Sequence, residues 1–279
     1  MRTRKLLLLL ILVLPLSSQA DPIFGKGMAG DRNLPRAFGI GIDYFNMSQP
    51  YQIDSLSVDC PPGDPQDPVF QTCQGLLASL LPVLSDTSAI RVDNDVEHVD
   101  LKLDVWLLPF LNVFGIYGSI DGDTTVDLRN IDAPLPPSLN VLNIRYDGDV
   151  YGGGLILAVG GHKWFASLTG TYTDTDLNGS FNSSVEAIAI QPRFGVRASE
   201  TTELWIGGYF IDAEEKHSGT IILDVGIEVP LDFAVDLSQQ EDFNFSLGMH
   251  SMFSEHWEAT VEVGGGDRNT VLANLTYRF

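Results

Sequence analysis

The sequence predicts an all-β protein, a transmembrane antiparallel up-and-down β-barrel of about ten strands, with twelve as the alternative count and long external loops. Three observations predict it. Past residue 20 no apolar run approaches the ~20 residues of a helical span, yet Val, Ile, Leu, Phe, Tyr and Gly recur in short alternating segments. Val271, Ala273, Leu275, Tyr277 and Phe279 alternate with Asn274, Thr276 and Arg278, as in a closing strand with one lipid face and one polar face. The connections also sort by length, tight ones alternating with longer ones, which a soluble sandwich has no reason to do.

The elements follow in order. The first strand is read at 37–46, with Phe38, Ile40, Ile42 and Tyr44 on one face. A connection at 47–96 leads to the second strand at 97–108, where Val99, Leu101, Leu103, Val105 and Leu107 alternate with Asp100, Lys102, Asp104 and Trp106. Pro109–Asn112 turns into a third strand at 113–121. The fourth and fifth, at 150–160 and 164–175, are joined by Gly161-His162-Lys163. The sixth and seventh, at 185–197 and 203–213, meet at Ser199–Thr202. The stretch 214–241 is read as an external loop with an extended piece, because Pro230 interrupts it. Strands at 242–253, 257–264 and 269–279 complete the barrel, and an even strand count puts both ends on the periplasmic side.

Residues 1–20 read as a cleavable signal peptide: Arg2, Arg4 and Lys5, an apolar stretch Leu6–Leu16, then Ser18 and Ala20 before the cut. Residues 21–36 are expected as a periplasmic segment and 37–279 as the barrel. The predicted location is the outer membrane of a Gram-negative cell. Arg2, Arg4 and Lys5 are three of 16 cations, so 13 face 37 carboxylates in the mature chain, a formal charge of −24. Such a field repels nucleic acid, so no nucleic-acid partner is expected. The expected partners are outer-membrane lipids, lipopolysaccharide, the barrel-assembly machinery and divalent cations at acidic loops. Cys60 and Cys73, in a Pro/Asp/Gly-rich stretch of an exported chain, predict a disulfide closing an external loop.

Alternation points charges of both signs into the lumen: Asp43, Asp100, Lys102, Asp104, Arg193, Arg197, Glu258, Glu262 and Arg278. In so narrow a barrel they must pair, which predicts a largely filled lumen. Tyr277 and Phe279 form the expected assembly signal.

Asp104–Gly118, together with Trp205–Tyr209 and the close from Gly264 to Phe279, resembles hairpins of a group of poorly characterised bacterial outer-membrane β-barrel proteins. The resemblance spans most of 37–279 and implies a small barrel with a C-terminal Phe, without implying catalytic or ligand residues.

Chemistry is sparse. His98 lies near Asp93, Asp95 and Glu97, and His217 near Asp212, Glu214 and Glu215, so either is a candidate rim acid/His site. His162, His250 and His256 fall at the periplasmic end. Asp121–Asp127 lacks the twelve-residue calcium-loop pattern and reads as a solvated turn. Gly75–Leu84 predicts a short apolar helix that caps the mouth or lines an apolar entry. No cofactor, metal or nucleotide motif is present. The leading expectation is a non-enzymatic barrel of structural or surface-interaction role. The alternatives are a narrow pore or carrier for small or apolar solutes, and a rim-sited hydrolase.

Overall fold

The computed structural model describes residues 22–28, 35–84, 87–131, 140–178 and 181–279. The expected signal peptide lies outside them. Alternating sequence becomes strand throughout: β1 (Phe38–Asp59), β2 (Arg91–Leu108), β3 (Leu111–Asp127), β4 (Val141–Gly160), β5 (Trp164–Asn178), β6 (Asn182–Arg197), β7 (Thr202–Asp224), β8 (Glu228–Gln239), β9 (Phe243–Met252), β10 (Trp257–Gly265) and β11 (Asn269–Arg278). One helix, α1 (Pro68–Leu84), follows β1. No helix among the described residues is long and apolar enough to cross a membrane.

All eleven strands form one antiparallel sheet that closes twice. The lower ring has ten strands and omits β8. It closes where Gly39–Ser48 of β1 pairs with Asn269–Arg278 of β11. The upper ring has eight strands, because β8 bridges Glu214–Asp224 of β7 and Tyr51–Asp59 of β1. The ten strands expected from sequence are thus the lower ring, and the extended piece around Pro230 is β8 in the upper one.

The two rings obey opposite hydrophobic rules. In the lower ring the outward positions are apolar and exposed: Ile40 and Ile42 on β1, Val99, Leu101 and Leu103 on β2, Leu155, Leu157 and Val159 on β4, Phe245, Leu247 and Met249 on β9. About ten residues at ~3.3 Å, tilted by ~40°, give a belt ~25 Å tall, the height of a hydrocarbon core. Above it the apolar residues switch to the inside. On β1, Met47 and Tyr51 are buried, followed by inward Ile53, Leu56 and Val58, while Gln52, Ser55 and Ser57 take polar outward positions. Strands read from outward apolar alternation therefore run farther than expected. The stretch Asp121–Asp127, expected as a turn, is the upper part of β3, and the first external connection shrinks to 60–90.

The switch of ring size needs a device where β7 and β1 exchange partners. β9 pairs with β7 only up to Phe210, and the pairing of β7 with β8 begins at Glu214. In the interval Gln239 supplies substitute ladder bonds, donating to the Ile211 carbonyl and accepting from the Ala213 N–H. Arg268, in the β10–β11 turn, is buried at the same fork and donates to Gln49 and to the Glu241 carbonyl. Gly266 precedes it at φ 145, a conformation that side chains disfavour.

At the other end the connections are Pro109–Phe110, 161–163, 198–201 and 253–256, all short, as the barrel reading expects. Ile23 and Phe24 donate backbone bonds to the carbonyls of Trp106 and Leu107, so the N-terminal segment lies against the lower end of β2.

Candidate solute-binding site

The inward-turned apolar residues of the upper ring enclose a cavity of about 230 Å3. Its wall includes Ile53, Val92, Ile221, Leu231, Val235 and Leu237. The helix contributes to its wall. Leu80 and Leu84 face the cavity, while Cys73 is buried with Leu223, Val229 and Leu231. The expected disulfide joins Cys60, just past β1, to Cys73 on α1 and so ties the helix to the rim.

Below this vestibule a polar layer crosses the lumen. Glu215 is 2% exposed and accepts hydrogen bonds from the Tyr51 hydroxyl at 2.6 Å and from Asn94 Nδ2 at 3.3 Å. Its Oε2 also lies 3.3 Å from His217 Nε2, and His217 Nδ1 lies 2.8 Å from Ser183 Oγ. Asn94 also donates to Thr124 Oγ1 and the Tyr146 hydroxyl. Tyr146 fits because Gly122 has no side chain: a Cβ there would run into its ring. Burial and then the Glu215 carboxylate push the Tyr51 hydroxyl well above its ordinary value, and the same two causes raise Tyr146. The layer stands above the apolar belt, level with outward Asp95, Glu97, Asp121, Asp123 and Asp147.

A second cavity, also about 230 Å3, lies beneath the layer. Thr169, Thr171, Thr173 and Thr175 of β5 line one side and Phe45, Ile120, Val150 and Ile211 others. Its lower part meets charges. Arg193 Nη2 lies 2.6 Å from Glu262 Oε2, and its guanidinium sits over the Trp205 ring at 5.4 Å. Asn274 donates to Asp43, and His98 Nδ1 is 2.6 Å from Asp100. Lys102 sits over the Phe114 ring at 5.0 Å. Deeper still, Arg278 bridges Asp104 at 2.9 Å and Glu258 at 2.6 Å, and Asn112 donates to Asp104. Arg197 pairs with Glu203 near the turns. Of the charges read from sequence, Asp100, Asp104, Glu258, Glu262 and Arg278 are buried, and Asp43, Asp100, Lys102 and Arg193 line the lower cavity.

The histidines separate. His98 faces inward, whereas Asp93, Asp95 and Glu97 alternate with inward Asn94 and Val96, so the expected rim site at His98 is not assembled. His217 is buried with Glu215, while Asp212 and Glu214 point outward. Ser183, His217 and Glu215 line up as a relay, but Glu215 is also held by Tyr51 and Asn94. His250 bonds Thr260, and His256 bonds the Arg278 carbonyl. At the closing strand, the Phe279 ring stacks 6.1 Å from Phe38, and Tyr277 meets Trp257 at 5.1 Å. Among the described residues no group of three or more His, Cys, Asp or Glu is arranged to hold a metal ion.

Tyr51, Asn94 and Tyr146 were not singled out from sequence, whereas Glu215 was named there as a neighbour of His217. The available signal was the change of phase in the alternation: Asn94 and Glu215 are polar residues on faces that are otherwise apolar at that height.

No protein-family model and no curated protein matches this chain. Several solved barrels are similar in fold. The outer membrane protease OmpT from Escherichia coli is 8% identical, covering 88% of this chain and 97% of that one at a TM-score of 0.46. The transport unit of the autotransporter AIDA-I from Escherichia coli is 10% identical, covering 93% and 95% at 0.38. The Ralstonia pickettii toluene transporter TbuX is 7% identical, covering 94% and 96% at 0.35. Likeness at this level carries no argument about function.

Proposed function

We propose that this chain is an outer-membrane barrel that binds a small apolar solute in its external vestibule. The cavity of about 230 Å3, walled mainly by apolar side chains that include Leu80 and Leu84 of a disulfide-tied helix, is the observation that supports this reading. An apolar cavity of about 150 Å3 holds benzene, so this one suits a solute of on the order of ten carbons. The belt would meet outer-membrane lipids. The outward carboxylates above it would meet lipopolysaccharide with divalent cations between. Tyr277 and Phe279 would serve recognition by the assembly machinery.

The test is equilibrium binding of naphthalene to the detergent-purified protein. Saturable binding is expected, with a dissociation constant on the order of 10–100 µM. Val235→Trp, which fills the vestibule, should weaken it at least about tenfold, the cost of losing ~1.4 kcal/mol. Absence of saturable binding, or binding indifferent to the tryptophan, ends the proposal.

A further inference from the structure

A solute that passes from the vestibule into the lower cavity has no apolar way down. The floor is a set of desolvated ion pairs, Arg193 with Glu262 and Arg278 with Asp104 and Glu258. Parting them around a molecule that offers no hydrogen bonds would leave buried charges unpartnered. The wall is the remaining route, and it is not uniform.

Within the belt, neighbouring strands pair in unbroken register, apart from one irregularity beside the β2–β3 turn at Trp106–Leu108. The exception in mid-membrane is β6 against β7. Pairing stops after Ile190 with Phe210 and resumes at Arg193 with Gly207. Gln191 and Pro192 on one side, and Gly208 and Tyr209 on the other, are unpaired across this seam, although Pro192 remains in register with Leu168 of β5. The cause is chemical: Pro192 carries no N–H to donate to the ladder.

The residues beside the break differ by face. Gln191 and Tyr209 line the lower cavity. Pro192 and Gly208 take the outward positions, and Gly208 presents no side chain to lipid. The ring of Phe243 covers it instead, so closely that a Cβ at Gly208 would strike the ring. Phe243 belongs to an outward cluster with Phe210 at 4.7 Å and Phe245 at 4.8 Å. The seam therefore joins a cavity inside to an aromatic patch outside, where the wall carries fewest hydrogen bonds.

We propose that this seam is a lateral passage through which an apolar solute moves from the lower cavity into the bilayer, with the Phe243 ring as its outer cover. The proposal rests on the apolar-solute reading above. Opening it costs separation of strands where ladder bonds are already missing, and a flat aromatic or an aliphatic chain meets only carbon on the lipid side.

The experiment compares wild type, Pro192→Val and Phe243→Ala, all full-length. Each is purified for naphthalene binding and also produced in a Gram-negative host for uptake of radiolabelled naphthalene by intact cells. Heat-modifiable migration confirms that each variant is a folded barrel. Pro192→Val restores a ladder donor without touching the vestibule. Its binding should match wild type while uptake falls about fivefold, the factor given by one added net hydrogen bond. Phe243→Ala removes the cover and should raise uptake while leaving binding unchanged. Uptake by folded Pro192→Val equal to wild type, or by Phe243→Ala no faster than wild type, overturns the passage while saturable binding keeps the vestibule reading. If wild type itself shows no saturable binding, the vestibule reading falls first and the passage falls with it.

Discussion

At the scale of single residues, the informative positions are polar groups held where water is scarce. Glu215 is shared by Tyr51, Asn94 and His217, and this sharing holds a polar layer between the two cavities. A buried carboxylate with several donors is tolerated because each oxygen finds a partner. The two tyrosines of the layer carry a pH consequence. Their folded-state pKa values are raised, by burial first and Glu215 second, so the stability they contribute is complete below the unfolded value of about 10. It is lost as pH rises above that value, where the unfolded chain gives up protons that the folded chain keeps. Tyr51→Phe combined with Tyr146→Phe should therefore leave unchanged the tyrosinate absorbance gained by the folded protein between about pH 9 and 11. A smaller gain in the double variant would show that these hydroxyls ionise with the rest.

At the scale of elements, α1 is a cap that does not hold itself. It is 17 residues long with Pro82 in its last turn, a length at which an isolated helix is marginal. Packing of Cys73 and Leu76 against Leu223, Val229 and Leu231 and the bond from Cys73 to Cys60 both help to fix it. Closing so short a loop contributes about 3 kcal/mol. Replacing both cysteines with alanine should leave the barrel folded and raise hydrogen exchange in α1. Naphthalene affinity should fall because closing the lid then costs free energy. Unaltered exchange in 68–84 would show that packing alone seats the helix. Strand length is the other feature at this scale. β9, β10 and β11 have 10, 9 and 10 residues, enough for the membrane and no more, so the wall above them is completed by β8.

At the scale of the whole molecule, two barrels of opposite polarity are stacked on continuous strands. The lower is apolar outside and ionic inside, and the upper is the reverse. The ionic floor makes an expected outcome for conductance: in planar bilayers the wild-type protein should show no steady single-channel steps. The Arg193–Glu262 and Asp104–Arg278–Glu258 contacts close the lumen below the lower cavity. Reproducible steps would mean that the floor opens to ions and that the solute has an aqueous way through.

Much of this was legible before any fold was known. Period-two alternation located the ten belt strands, because a lipid face and a lumen face are written directly into alternate residues. Asp104, Glu258, Glu262 and Arg278 were readable as lumen groups for the same reason. The upper strands were not, since their alternation changes phase at the membrane edge, and a reading keyed to outward apolar residues ends each strand there.

The sequence by itself determined the all-β class, the ten-strand belt and the pairing of Cys60 with Cys73, because each is a matter of local spacing or of having one possible partner. Only the tertiary structure decided that Arg278 reaches both Asp104 and Glu258, that Glu215 meets Tyr51 across 164 positions, and that β8 closes a second ring around an apolar cavity. Those contacts depend on how the sheet curls and where two strands change neighbours, and curvature is set by the closed ring as a whole.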